Sequence, residues 1–335
     1  MNLDNNNLGY TENVKNLALK KLGKKGRSVK KDINPDLRKA ISHILGEMEF
    51  VNIATSVKEN FEMVRNSHDS IHEFVLLASL SHPAGASWHS KSAFLTYHQD
   101  AFHQAHRSFL EALSGHYNAG YVLLRSTLEL LVRGAFWECF AHEKFRNNAK
   151  KLYENQKGRS LRKWINDIIK LKPSIKEEFE NTSAGIFDKI SPLFKNPELR
   201  RKCIPPIGTM IAQLEEWKIL DTMPNPSKTV YDLYSDLSAD IHVIPDRTDI
   251  GRRLLSQKDL FETEVIPSEL TSYMKFLSQV IDISTIIEFN VLKDWLPAND
   301  SIKNKLKDRL SILEGLGLKY SVKKLQKTIC SELMR

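Results

Sequence analysis

The chain has little of what marks a secreted or disulfide-stapled protein. Its three cysteines, Cys139, Cys203 and Cys330, are far apart and odd in number, and none belongs to a CxxC pair. They support neither a disulfide framework nor a zinc ribbon, so we expect reduced thiols. The N-terminus also lacks the basic and then apolar pattern of a signal peptide. Together these absences predict a cytoplasmic protein.

Long hydrophobic runs are absent as well. The longest apolar stretch, from Tyr117 to Trp137, is interrupted by Arg125, Glu129 and Arg133. A membrane-spanning helix needs about 20 consecutive apolar residues with few or no charges. We therefore predict no membrane partner.

The motifs of several enzyme classes are missing too. The sequence contains no Walker loop, no G-x-G-x-x-G and no G-x-S-x-G. These motifs carry phosphate binding, dinucleotide binding and α/β-hydrolase chemistry, so none of those activities is supported. We predict no small-molecule cofactor. No stretch alternates apolar and polar residues over six positions, so no sheet is predicted either.

Apolar residues instead recur at intervals of three and four along most of the chain, which is typical of amphipathic helices. We therefore predict an all-α fold, a helical bundle with additional N- and C-terminal helices. The first two helices are expected between about residue 34 and Ser79, with a break near Ser67, and Gly115 allows a turn between the next two. The other predicted helices cover residues 90–114, 117–142, 158–171, 183–194, 206–219, 228–242, 267–296, 300–315 and 320–334.

The formal net charge of +8 is concentrated at the two ends of the chain. Residues 1–40 carry a net +6 and residues 296–335 a net +5, which leaves −3 for the body. Basic arms can bind nucleic acid by releasing counterions, but no aromatic residue is interleaved here for base stacking, so a solvated tail is the simpler interpretation. The candidate nucleic-acid-binding residues are Lys20, Lys21, Lys24, Lys25 and Arg27. The basic C-terminal helices are either a binding appendage or an ordinary pair packed on the bundle.

Two of the predicted helices stand out. In the apolar helix 117–142, Arg125, Glu129 and Arg133 are each four residues apart and form one stripe. In the helix 228–242, a row of side chains flanks the apolar face. Because a buried charge needs a partner, we expect this row to dock on Arg125 and Glu129. The members of the row are Tyr231, Ser235, Ser238 and His242.

These two helices resemble those of uncharacterised prokaryotic HEPN-like proteins. The first motif is Gly115, Tyr117 and Ala119 followed by Leu123–Glu129, and the second is Y-x-x-L-S-x-x-x-H, from Tyr234 to His242. The resemblance spans about residues 90–290. It implies a four- or five-helix bundle, often dimeric, which in many members is a metal-independent ribonuclease of toxin–antitoxin or antiviral systems.

The HEPN catalytic signature is R-x(4–6)-H, and this chain departs from it. The positions that would hold the Arg before His242 are Ser235, Asp236 and Leu237. A site could be rebuilt if Arg125 reached the scissile phosphate from the other helix, while His242 served in acid–base chemistry. The candidate catalytic residues are His242, Arg125, Glu129 and Ser238. Otherwise the chain is a non-catalytic relative.

Histidines are dense between residues 82 and 116. His103 and His106, three apart on one predicted helix, could share a metal ion with Asp100. The spacing matches no recognised zinc helix such as H-E-x-x-H, so a surface helix face is the preferred interpretation. We predict no metal site.

Four segments summarise these expectations: a basic, flexible arm (1–33), N-terminal helices (34–88), a HEPN-like helical core (89–295) and a basic C-terminal helical extension (296–335). Two functions fit them. One is an RNA-directed protein of a defence or toxin type, with RNA as partner. The other is a non-catalytic helical protein-interaction module, which we expect to be a homodimer.

Overall fold

The described part of the chain is built of α-helices joined by short turns. The computed structural model describes residue 39 and residues 50–80, 92–171, 190–239, 265–292 and 300–333, and no strand occurs within these ranges. The predicted all-α fold is therefore confirmed. Residues 190–195 are also helical. The numbered helices are α1 (Phe50–Glu59), α2 (Phe61–Leu80), α3 (Ala93–Leu113), α4 (Tyr117–Ala141), α5 (Glu143–Asn147), α6 (Lys150–Glu154), α7 (Gln156–Leu171), α8 (Pro197–Cys203), α9 (Ile207–Glu216), α10 (Pro226–Ala239), α11 (Pro267–Leu292), α12 (Asp300–Gly315) and α13 (Lys319–Leu333).

The predicted break near Ser67 is wrong. The interruption lies at Asn60, between α1 and α2, and Ser67 is inside α2. Serines favour breaks because their hydroxyls compete for backbone groups. Here the Ser70 hydroxyl donates to the Ser67 carbonyl at 2.7 Å, and both residues lie inside α2. The hydroxyl therefore finds an acceptor without ending the helix.

Helix α4 lies at the centre of the bundle and packs against α3, α11, α9 and α10. A sharp turn joins α3 to α4. Gly115 has φ 91°, a left-handed conformation that glycine adopts without a side-chain clash. The Gly115 N–H donates to the Ala112 carbonyl at 3.1 Å and the His116 N–H to the Glu111 carbonyl at 2.9 Å. This pair of bonds is a Schellman motif, which ends α3 and sends the chain back antiparallel.

A buried polar network ties three helices together. The Ser108 hydroxyl on α3 donates to the Gly120 carbonyl on α4 at 2.6 Å, and it lies 2.6 Å from the Tyr273 hydroxyl on α11. Since Ser108 gives its only hydrogen to a carbonyl, Tyr273 must donate to Ser108. The Ser108 hydroxyl, the Tyr273 hydroxyl and the Gly120 carbonyl are thus all hydrogen-bonded inside the core.

Helix α13 packs on α11, and α12 packs on α13 and touches α2. Arg309 on α12 binds both carboxylate oxygens of Glu73 on α2 at 2.6 Å. Lys324 on α13 lies 2.6 Å from the Asp221 carboxylate. Two basic side chains of these helices therefore form ion pairs that hold α12 and α13 against the bundle.

Among the described helices, none combines the length and the apolar character that crossing a bilayer requires.

Candidate functional site

The charged stripe predicted on the central helix lies along one partly exposed side of α4. Arg133 donates two hydrogen bonds to Glu129, at 2.6 and 2.9 Å, while Arg125 stays 3.9 Å from the same carboxylate. Each of the three side chains is 26% exposed. Glu129 is therefore held mainly by Arg133, and Arg125 is only loosely paired with it.

Arg125 finds its closest partner on α10. Its guanidinium carbon lies 4.7 Å from the centre of the Tyr234 ring, and one of its terminal nitrogens donates to the Tyr234 hydroxyl. The contact combines cation–π attraction with a hydrogen bond. The Nε of Arg125 is buried and has no hydrogen-bond partner among the described residues. Arg125 thus retains donor capacity at the place where the two helices meet.

The described side chains of the row that was expected to dock on Arg125 are placed elsewhere. Tyr231 and Ser235 are exposed, and Ser238 donates its hydroxyl to the Tyr234 carbonyl of its own helix at 2.6 Å. The helices meet through Tyr234, which the sequence analysis placed in a motif but not in the row. The signal that could have found it is its position one turn before Ser238. His242 and the five residues Lys20, Lys21, Lys24, Lys25 and Arg27 lie outside the described residues.

A cleft of about 570 Å³ opens on the side of α10 that carries Leu233, between α10, α11 and the start of α13. Its charged lining is mixed, with Asp232 and Asp236 on α10, Lys275 and Asp282 on α11 and Lys319 at the start of α13. Such a balanced lining favours no single charge of ligand. The cleft is therefore a weaker candidate than the Arg125–Tyr234 contact.

A second cluster, which the sequence analysis missed, is formed by three histidines. His68 and His72 are one turn apart on α2, and His106 reaches them from α3. The ring nitrogens available as ligands all lie within 4.8 Å of one another. The signal in the sequence is the H-x-x-x-H spacing of His68 and His72, which places both rings on one helix face.

The expected grouping of His106 with His103 and Asp100 is not the one that the structure forms. The His103 ring nitrogen lies 3.1 Å from the Gln99 side chain, and Asp100 is exposed. Desolvation by burial lowers the pKa of His106, and the neighbouring His72, His68 and His103 lower it further. Desolvation likewise lowers the pKa of His68, followed by the effect of His72. These shifts favour neutral imidazoles at pH 7.

Comparisons of the chain with models of protein families, with curated proteins and with solved structures found no match.

Proposed function

We propose that this chain is an RNA-directed, HEPN-like protein whose site is built around Arg125 and the helix that leads to His242. The observation that carries the proposal is the contact between Arg125 and Tyr234. Arg125 belongs to the first HEPN-like motif, and Tyr234 opens the second. The two residues are 109 positions apart in the sequence, so their contact is a property of the fold.

The state of Arg125 supports binding of an anion. A guanidinium is charged at any physiological pH and carries five N–H donors. The Arg125 side chain is 26% exposed, and Glu129 is engaged mainly by Arg133. Arg125 therefore keeps donors for a phosphodiester, a group that arginine recognises through paired N–H donors.

The chemistry proposed is cleavage of RNA without a metal ion. The ribose 2′-hydroxyl loses its proton and attacks the adjacent phosphorus, the P–O5′ bond breaks, and the 5′-oxygen leaves with a proton, which gives a 2′,3′-cyclic phosphate and a 5′-hydroxyl. His242 acts in one of these two proton transfers, as the base that takes the 2′-hydroxyl proton or as the acid that protonates the 5′-oxygen, and water serves in the other. Arg125 binds the phosphate and stabilises the negative charge that develops on it. Glu129 and Ser238 are positioning residues in this proposal, since Glu129 shares the stripe with Arg125 and Ser238 precedes His242 by four residues in the sequence.

The proposal is tested by incubating purified protein with total RNA in the presence of a chelator. Wild-type protein is expected to cleave the RNA. His242→Ala should lower the cleavage rate by about 100-fold or more, as expected for loss of a general acid or base. Arg125→Ala should lower it by a similar factor, because the developing charge loses its main donor.

Arg107→Ala is the matched control for the arginine variant. Arg107 is exposed on α3, where its nearest acid is Glu111 on the same helix, at 3.9 Å. Its replacement removes the same charge and should leave cleavage unchanged. Intact RNA with well-folded wild-type protein, or equal cleavage by wild type and His242→Ala, would contradict the ribonuclease proposal.

A non-catalytic helical interaction module is the second candidate, and Glu129 is the observation that favours it. Its carboxylate lies between Arg125 and Arg133 in the stripe on α4. Part of the positive charge of the two arginines is therefore neutralised within the stripe. Arg125 then serves as a packing side chain on Tyr234. Under this alternative, RNA stays intact, and gel filtration with light scattering should show a homodimer.

A further inference from the structure

The three-histidine cluster unites two helices at the surface of the bundle. His68 and His72 extend from α2, and His106 from α3. The rings of His72 and His106 have centroids 4.9 Å apart, and those of His68 and His72 are 4.5 Å apart. Among the residues that the structure describes, no member of the cluster contacts the Arg125 stripe. The cluster is therefore separate from the site proposed for RNA.

The spacing of the ring nitrogens suits a small transition-metal ion. Zinc binds histidine nitrogens at about 2.0–2.1 Å in tetrahedral geometry, which puts two such nitrogens about 3.3 Å apart. The Nε2 atoms of His68 and His72 are already 3.2 Å apart. All three ligand atoms lie within 4.8 Å of one another, so a closing movement of at most about 1.5 Å completes the set. Rotation of the imidazole rings supplies a movement of this size.

The surroundings of the histidines also fit a metal site. The Nδ1 of His68 faces the Asp69 carboxylate at 3.9 Å. A proton on Nδ1 leaves the Nε2 lone pair for the metal, and a carboxylate on the Nδ1 side of the ring favours that tautomer electrostatically. Phe102 lies against His106, with ring centroids 4.7 Å apart, and Phe109 lies 5.7 Å from His68. An apolar wall behind the ligands lowers the local dielectric and strengthens the binding of a cation by its ligands.

We propose that His68, His72 and His106 form a binding site for Zn²⁺, with the fourth coordination position open to water. Neutral imidazoles are ligands that suit zinc. Three protein ligands with one open position are the arrangement found in zinc sites that take up a water or a substrate. The bound ion also joins α2 to α3. This proposal is independent of the ribonuclease proposal, because the RNA experiment is run in a chelator.

The test uses the full chain without a polyhistidine tag, stripped with a chelator and dialysed. Titration with zinc chloride by calorimetry should show one Zn²⁺ bound per chain. Saturating zinc should raise Tm by about 2 °C or more, because it binds only the folded state. Cobalt(II) in place of zinc should give the visible absorption of a four-coordinate ion. Absence of zinc binding by the wild-type protein would overturn the proposal.

Matched histidine variants locate the site. His72→Gln and His106→Gln should each weaken zinc binding by at least about tenfold, since changes even beyond the ligands cost that much. His103→Gln, three residues before His106 on the same helix, removes a histidine outside the cluster and should bind zinc like the wild type. Circular dichroism checks that each variant is folded. Equal zinc affinity in wild type and His106→Gln would also overturn the proposal, because the ion would then bind elsewhere among the 11 histidines.

Discussion

Three buried polar side chains of α11 meet three different surroundings. Tyr273 donates to Ser108, and Asp282 accepts hydrogen bonds from α13. Glu288 is fully buried, and neither of its carboxylate oxygens has a hydrogen-bond partner among the described residues. The Nε2 of His98 lies 3.5 Å from one of these oxygens. Burial raises the pKa of the Glu288 carboxyl well above its ordinary value, because the charged form loses its hydration.

The buried Glu288 carboxyl should make the stability of the protein depend on pH. Because its folded-state pKa is raised, Glu288 contributes most to stability below its ordinary pKa of 4.5. This contribution is lost as pH rises toward the folded-state pKa, since the unfolded chain releases the proton first. Within that window each pH unit removes about 1.4 kcal/mol. Glu288→Gln lacks this loss, so its free energy of unfolding should rise relative to wild type as pH increases.

Urea unfolding at several pH values between 5 and 8 measures this difference. Glu59→Gln, which neutralises an exposed carboxylate at the end of α1, is the control and should show no such trend. A constant difference between Glu288→Gln and wild type across the pH range would mean that Glu288 is ionised in the folded protein throughout.

At the scale of elements, the start of α13 is capped by a different helix. Its N-terminal N–H groups need acceptors, and Asp282 on α11 supplies acceptors for two of them. One carboxylate oxygen accepts from the Tyr320 N–H at 2.9 Å, and the other accepts from the Ser321 N–H at 2.8 Å and the Ser321 hydroxyl at 2.5 Å. Burial raises the pKa of Asp282, although these hydrogen bonds act in the opposite direction. The cap fixes the C-terminal helix to the bundle.

Removal of this cap should loosen α13 selectively. Asp282→Ala leaves the N–H groups of Tyr320 and Ser321 unpaired and should lower the free energy of unfolding by about 1–3 kcal/mol. Amide hydrogen exchange should accelerate in residues 319–333 more than in α4. Asp232→Ala, which removes an exposed aspartate paired with Lys228 on its own helix, is the control. Equal acceleration in α4 and α13 would show that Asp282 stabilises the whole fold instead of one helix.

At the scale of the whole molecule, the described helices share one apolar core. Phe74 of α2, Leu128 of α4 and Leu325 of α13 are all fully buried members of it. These residues come from three of the four segments distinguished in the sequence: the N-terminal helices, the predicted HEPN-like core and the C-terminal extension. A common core couples the stability of the segments, because each loses buried area if another separates.

The shared core predicts one cooperative unfolding transition. Far-UV circular dichroism and the fluorescence of the tryptophans, which include the buried Trp137 and Trp217, should change at the same urea concentration. Leu128→Ala and Leu325→Ala should each lower the free energy of unfolding by about 2–5 kcal/mol and shift both signals together. A transition of Leu325→Ala that splits into two steps would show instead that the C-terminal helices unfold separately.

Much of the fold follows from local sequence. The three- and four-residue spacing of apolar side chains predicted the helices, and the observed bounds of α3, α4 and α12 lie within three residues of the expected ones. Gly115 marked the turn between α3 and α4. The short helices α5, α6 and α8 were missed, because five to seven residues are too few to show a period. Periodicity and turn chemistry act between near neighbours, so the sequence reports them directly.

The meeting of distant side chains was decided by the tertiary structure alone. The sequence marked Arg125 and a row of side chains on α10, but the packing of the two helices made Tyr234 the partner. It likewise brought His106 to His68 and His72 on α2 instead of to His103 on its own helix. Helix periodicity determines which side chains share a face, whereas the rotation and crossing of packed helices determine which faces touch.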